Sequence, residues 1–169
     1  MPSAPHPNLL SYLGTHPELA GPPRHVGANS AVVGRVTLGR DAWLGAASVI
    51  RADGHYVSVG DDLTLGHGAT IHIAHDVYPT VIGNGVTVGC NAVIHACEVR
   101  DGCIVEDDAV ILDGCVIEPG AVIERGSVVY PRTTLEGGHV YAGRPAKAQR
   151  AIEYVSNKLG GNPYNVAPK

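Results

Sequence analysis

VEDDAVILDGCVIEPGAVIERGSVV, residues 105–129, is the stretch whose reading decides the fold. Its aliphatic residues Val105, Ile111, Ile117, Ile123 and Val129 stand six apart, and four positions after each of the first four comes a small residue: Ala109, Cys115, Ala121, Ser127. A helix repeats every 3.6 residues and a plain strand alternates by two, so neither sustains a spacing of six. Six residues do suffice for one short strand and a tight corner. Three such units close a triangular coil of about 18 residues, and successive coils stack into a solenoid of parallel strands.

The spacing continues outward in both directions, through Val26, Val32, Leu38, Leu44, Ile50, Val59, Leu65, Ile71, Ile82, Val88, Ile94 and Val99 on one side and Leu135 on the other. Glycine often follows the aliphatic residue, as at Gly27, Gly39, Gly45, Gly60, Gly66, Gly83 and Gly89, where its expected role is to permit the corner. The predicted fold class is an all-β solenoid, a parallel β-helix of hexapeptide repeats over residues 25–143. The pattern is broken by a step of nine from Ile50 to Val59, of eleven from Ile71 to Ile82, and of five from Ile94 to Val99. The eleven-residue step holds HIAHDVYPT, residues 72–80, and reads as a loop thrown outward, the kind of excursion that carries function. Beyond Leu135 the period fades. Pro145 suits a first helical turn, Ala148, Ile152, Val155 and Leu159 share a face, and Gly160-Gly161 supplies a stop, so a C-terminal α-helix is predicted within residues 144–169. Residues 1–24, rich in Pro and His, are expected to form a docking arm.

With no Phe and one Trp, the core is built of Val, Ile, Leu and Ala, which suits narrow repeated layers. The net charge of −4 comes without a long run of one sign, so the basic footprint of a nucleic-acid binder is missing and a small-molecule substrate is expected. No segment approaches the ~18 apolar residues of a membrane span and the N-terminus has no cationic leader pattern, so the expected location is the cytoplasm. Four cysteines, Cys90, Cys97, Cys103 and Cys115, lack the density of a disulfide scaffold and are expected to be free thiols.

Hexads three apart lie on one face, on rungs ~4.8 Å apart. Ile50, Ile71 and Ile94 therefore share a face, and the residues after them form a column: Arg51, His72, His95. Two imidazoles on adjacent rungs can share one metal ion. Leu65 and Val88 share a different face, which stacks His67 and Cys90. Cys90 is thus expected to complete a metal site only across a subunit interface, for which a cyclic trimer is the simplest closure. Cys103 and Cys115 fall on the small interior position and read as core. Cys97 lies in the irregular five-residue step and stays open between core and site.

The motifs VIRAD (49–53), TIH (70–72), PTVIGNGVTVG (79–89), AVIHAC (92–97) and GRPAK (143–147) give the chain, from about Tyr12 to Arg150, a further character. It resembles the gamma-class carbonic anhydrase-like family of the left-handed β-helix, hexapeptide-repeat superfamily. That resemblance implies a left-handed coil and a homotrimer with metal sites at its interfaces, zinc being the expected ion with iron and cobalt as alternatives. Three histidines hold the metal in such proteins, two from one chain and one from its neighbour. The pair maps to His72 and His95; the third maps to position 90, here Cys90, with His67 one rung away as an alternative donor. Arg51 and Asp53 match the family's Arg-x-Asp motif, which implies an anion-orienting Arg51 held by Asp53; a purely structural salt bridge is the competing reading. Thr64, Gly66, His67 and Gly68 stand where the family often has Asn-x-Gln-Asp-Gly, so the Gln that orients the reactive water is absent. The implied reaction is attack of a metal-activated water on CO2 or a related electrophile. Alternatives are an acyl-CoA thioesterase with His75, Asp76 and Tyr78 lining a larger pocket, an acyltransferase with His75 as base, and a non-catalytic trimeric scaffold.

Overall fold

A computed structural model describes residues 8–152. Each hexad delivers a short strand with its aliphatic residue pointing inward, and three faces result. Val32, Ile50, Ile71, Ile94, Ile111 and Val129 line the first from inside, Leu38, Val59, Ile82, Val99, Ile117 and Leu135 the second, and Leu44, Leu65, Val88, Val105 and Ile123 the third; all are buried. The small positions Ala42, Ala69, Ala92, Cys103, Ala109, Cys115 and Ala121 are buried too, so large and small residues alternate around a narrow prism, and Tyr141 in the last coil is its one buried aromatic residue among those described. This is the left-handed parallel β-helix. Its first two faces are one continuous twelve-stranded sheet, because Val49–Val59 is long enough to pass from one to the other, and the third face is a separate sheet of eight strands. The register along the first face is the expected one: Ile50 pairs with Ile71, Ile71 with Ile94, and Ile94 with Ile111.

The glycines after the aliphatic residues serve a different purpose from the one expected. The left-handed backbone conformation falls two residues later, at Ala47 (φ 56°), Gly68 (φ 67°) and Asn91 (φ 56°). Gly66 instead permits close approach of two rungs, since a Cβ there would lie 2.5 Å from the Gly89 carbonyl carbon and 2.6 Å from the Cys90 nitrogen. The corners are also tied along the solenoid axis. The Arg40 N–H donates to Asp61 Oδ1 (2.8 Å), the Asp61 N–H to Asn84 Oδ1 (2.8 Å), and the Asn84 N–H to Asp101 Oδ1 (2.7 Å), so each corner donor is satisfied by a side chain one coil on.

The C-terminal helix needs correction over the residues described. Ala146–Ala151 is a strand, antiparallel to His139–Gly143, and Pro145 lies in the hairpin turn between them. His139–Gly143 is the last parallel strand of the third face and would otherwise leave a row of unpaired backbone groups at the sheet edge, which the hairpin covers. The rest of that predicted helix lies outside the described residues. At the other end, Asn8–Leu10 and Glu18–Leu19 pair in parallel with Ala31–Leu38, so this part of the predicted arm extends the sheet. Among the described residues no helix is long and apolar enough to cross a membrane.

Candidate functional site

The column predicted from hexad counting is present. His72 and His95 pair directly across adjacent strands, with ring centroids 5.2 Å apart. Each imidazole is braced by a carboxylate. His95 Nδ1 lies 2.6 Å from Asp113 Oδ1, so Nδ1 carries the proton and Nε2 keeps a free lone pair. His72 Nε2 lies 2.9 Å from Asp53 Oδ1, and the other carboxylate oxygen of Asp53 is ion-paired with Arg51 Nε at 3.1 Å. Asp53 therefore faces both the imidazole and the guanidinium. Arg51 Nε also donates to His72 Nε2 at 3.1 Å. Burial works against ionisation of Asp53, but the hydrogen bond with His72, a backbone hydrogen bond and the charge of Arg51 outweigh it and hold the carboxyl below its ordinary value. The Thr80 hydroxyl, fully buried, donates to the His72 carbonyl and fixes the strand end that carries the ring.

Asp113 is the site residue that the sequence reading missed. It stands 18 residues after His95, one coil on, so the hexad count that stacked the histidines also contained the signal for it.

His67 and Cys90 belong to a different corner, after the third face, in another axial hydrogen-bond ladder. There His67 Nδ1 accepts from the Ala46 N–H (2.9 Å) and Asp107 Oδ1 from the Cys90 N–H (2.8 Å). Accepting at Nδ1 places the His67 proton on Nε2, so neither nitrogen of the neutral ring is free while that bond lasts. The His67 ring also packs edge-on against Trp43, which stacks on His25. Cys90 occupies the ladder position between His67 and Asp107, where a weakly accepting thiol is a poor replacement for carboxylate or imidazole; it is partly exposed. Cys97 turns inward and is buried, and burial pushes its thiol well above the ordinary range. It is a core residue, as are Cys103 and Cys115, whose thiols donate to the carbonyls of Glu118 and Tyr130. All four cysteines are free.

His75 is not brought to His72. It sits on a tight turn closed by the Ala74–Tyr78 bridge, at a left-handed φ of 35°, and pairs with Asp76 at 2.8 Å while remaining largely in solvent. The turn straddles the histidine pair: Gly54 accommodates His75 on one side, and the Tyr78 ring lies over Gly114, next to Asp113, on the other. Beside the histidine column runs an outward-facing strip of Val49, Thr70, Val93, Val110 and Val128, paired rung to rung and only partly covered. Among the described residues no group of three His, Cys, Asp or Glu side chains comes together in one chain as a metal-binding set. The two imidazoles nonetheless fit a borderline ion, because a neutral imidazole has one unprotonated nitrogen and each ring has a carboxylate beside it.

No family model matches the chain. Known proteins do. It is 37% identical over 132 residues to the mitochondrial gamma carbonic anhydrase 2 of Arabidopsis thaliana, covering 75% of this chain and 48% of that protein, so it spans about half the length of that relative. It is 38% identical over 130 residues to protein YrdA of Escherichia coli, covering 73% of this chain and 71% of that one. Among solved structures, a hexapeptide transferase family protein from Anaplasma phagocytophilum superposes with a TM-score of 0.77 at 26% identity, covering 87% of this chain and 86% of that chain. The carboxylate-braced histidine pair on a hexapeptide coil and these likenesses agree, and the chain belongs to the gamma-class carbonic anhydrase-like family of hexapeptide-repeat proteins.

Proposed function

We propose that the protein acts as a homotrimeric metalloenzyme in which His72 and His95 of one copy and Cys90 of the next hold a zinc ion, adding water to CO2 or a related small carbonyl compound. The observation that carries this reading is the pair of braced imidazoles on neighbouring rungs, two donors where a site needs three or more, at the margin of a partly covered, mostly aliphatic strip. Burying that strip against a second copy is favourable, at ~25 cal/mol per Å² of apolar surface, and brings another chain's donors to the pair. Cys90 is suited to be the incoming donor because the ladder around it uses its backbone but not its thiol. The ion would supply Lewis acidity toward water and carbonyl oxygen, tempered by the negative charge of a thiolate ligand. Asp113 fixes the His95 tautomer, and Asp53 braces His72. Arg51, half exposed and anchored on Asp53, offers its remaining N–H groups to an anionic product such as bicarbonate. His75, in contact with solvent, is placed to exchange protons with bulk water.

Elemental analysis after zinc reconstitution under anaerobic, reducing conditions tests the site. About one ion per chain is expected in the wild type, with loss in His72→Ala and His95→Ala and weakened retention in Cys90→Ser. A His72→Ala/His95→Ala double variant with full metal and full activity would sink the reading. A panel of CO2 and acyl thioesters then separates hydration from hydrolysis. Acyl transfer is the second reading, favoured by the likeness to a hexapeptide transferase family protein and by the exposed His75–Asp76 pair, which has the form of a loop base. It predicts turnover with acyl donors that survives removal of metal.

A further inference from the structure

Next to Asp53 opens a cleft of about 220 Å³, whose lining includes Tyr12, Leu13, Arg35, Gly54, His75 and Asp76. Three departures from the hexad frame meet there. The first is the reversed turn closed by the Tyr12–Thr15 bridge, with Leu13 at a φ of 46°. The second is the bulge where Gly34 pairs with Ala52 and Val36 with Val57, so that residues 53–56 stand opposite Arg35 alone. The third is the 74–78 turn. Two glycines let these pieces close down on the coil. A Cβ on Gly34 would lie 2.2 Å from the Ala52 carbonyl oxygen and 3.3 Å from the Tyr12 Cβ, and one on Gly54 would lie 2.9 Å from the His75 Cα. The walls are thus set by backbone fit.

The charges in the cleft are committed with one exception. Asp53 is shared by Arg51 and His72, and Asp76 pairs with His75. Arg35 is exposed and, among the described residues, has no carboxylate partner. CO2 is triatomic and uncharged and needs neither a cation nor a cleft of this size. We propose that the cleft is a recognition site for an organic anion: Arg35 receives a carboxylate or phosphate group, Tyr12 and Leu13 cover the adjoining carbon skeleton, and the other end of the molecule reaches the Asp53–His72 edge. That the anion is a substrate rests on the function proposed above; that it binds does not.

The test is a titration of the ¹⁵N-labelled full-length protein with phenylacetate, pyruvate and methyl phosphate at constant ionic strength, followed by amide shifts. Saturable shifts are expected at residues 34–35, 53–55 and 75–76, and whichever probe saturates first identifies carboxylate or phosphate as the preferred group. Arg35→Gln should weaken that probe by at least about fivefold, and Arg35→Lys should recover part of the loss. Arg125→Gln, which removes an exposed guanidinium paired with Asp107 outside the cleft, should leave the affinity unchanged. Failure of metal binding with intact anion binding would overturn only the function proposed above. Absence of saturable shifts with all three probes, or equal affinity in Arg35→Gln, would overturn the cleft.

Discussion

Replacing Gly66 by Ala and, separately, Gly85 by Ala distinguishes two uses of glycine in this coil. Gly85 has a φ of 63° and open space around the site of a Cβ, so Ala there meets only the backbone cost of the left-handed region, about 1 kcal/mol. Gly66 lies outside that region, but its Cβ would stand 2.5 to 2.7 Å from three backbone atoms of Gly89 and Cys90. No side-chain rotation relieves contacts with backbone. The rungs must separate by roughly half an ångström or more, lengthening hydrogen bonds on either side, and a cost of about 3 kcal/mol is expected. The difference of about 2 kcal/mol corresponds to roughly thirtyfold in the folding equilibrium. Urea unfolding followed by far-UV circular dichroism measures it, with all proteins at one concentration so that self-association contributes equally. A Gly66→Ala variant no less stable than Gly85→Ala would refute rung contact as the reason for glycine.

Other consequences are as direct. The Ser48 hydroxyl is buried with no hydrogen-bond partner at a position where three other coils carry Ala, so Ser48→Ala should stabilise by about 1 kcal/mol, read as a rise in the same unfolding midpoint. Asp113→Asn should weaken zinc retention about tenfold or more through loss of the carboxylate behind His95, measured by competition with a chromophoric chelator; unchanged affinity would remove Asp113 from the site. Iodoacetamide at pH 8 should label one thiol per folded chain, Cys90, and zinc loading should slow it. Burial raises the thiol pKa of Cys97, Cys103 and Cys115, so their thiolates are scarce until the pH rises further or the chain unfolds, and mass mapping that found Cys97 labelled first would contradict this. Val110→Lys on the outer strip should yield monomers by light scattering and lose the metal although every proposed ligand is intact.

The hexad spacing made the interior and the histidine column legible because one period governs both: the count that buries Ile71 and Ile94 also pairs His72 with His95. It failed where two physical causes produce the same residue. Glycine after the aliphatic position looks like a corner residue, yet crowding between rungs requires it, and nothing in a linear spacing separates the two. His67 reads as a metal donor but caps the Ala46 N–H, since an imidazole serves as ligand or as acceptor with the same atoms. The Ala146–Ala151 strand was hidden because spaced apolar residues near a chain end suit a helix face, while the sheet edge that recruits a hairpin exists only in the folded coil. The Arg35 cleft was illegible for a similar reason, being assembled from three breaks in the period separated by up to about 60 residues.

Those breaks share a property of the coil's arithmetic. The nine-residue and eleven-residue steps carry three and five residues beyond a hexad, yet Val59 pairs with Ile82 and Ile82 with Val99 as if nothing had been added. Extra residues leave the prism and return at the same rung, so no downstream strand shifts register. Chain length at these points is therefore a free variable: the pocket's depth and chemistry can be rewritten by insertion or deletion while the histidine spacing stays unchanged. The lining of the cleft and the spacing of the histidine pair can therefore change independently within a single coil.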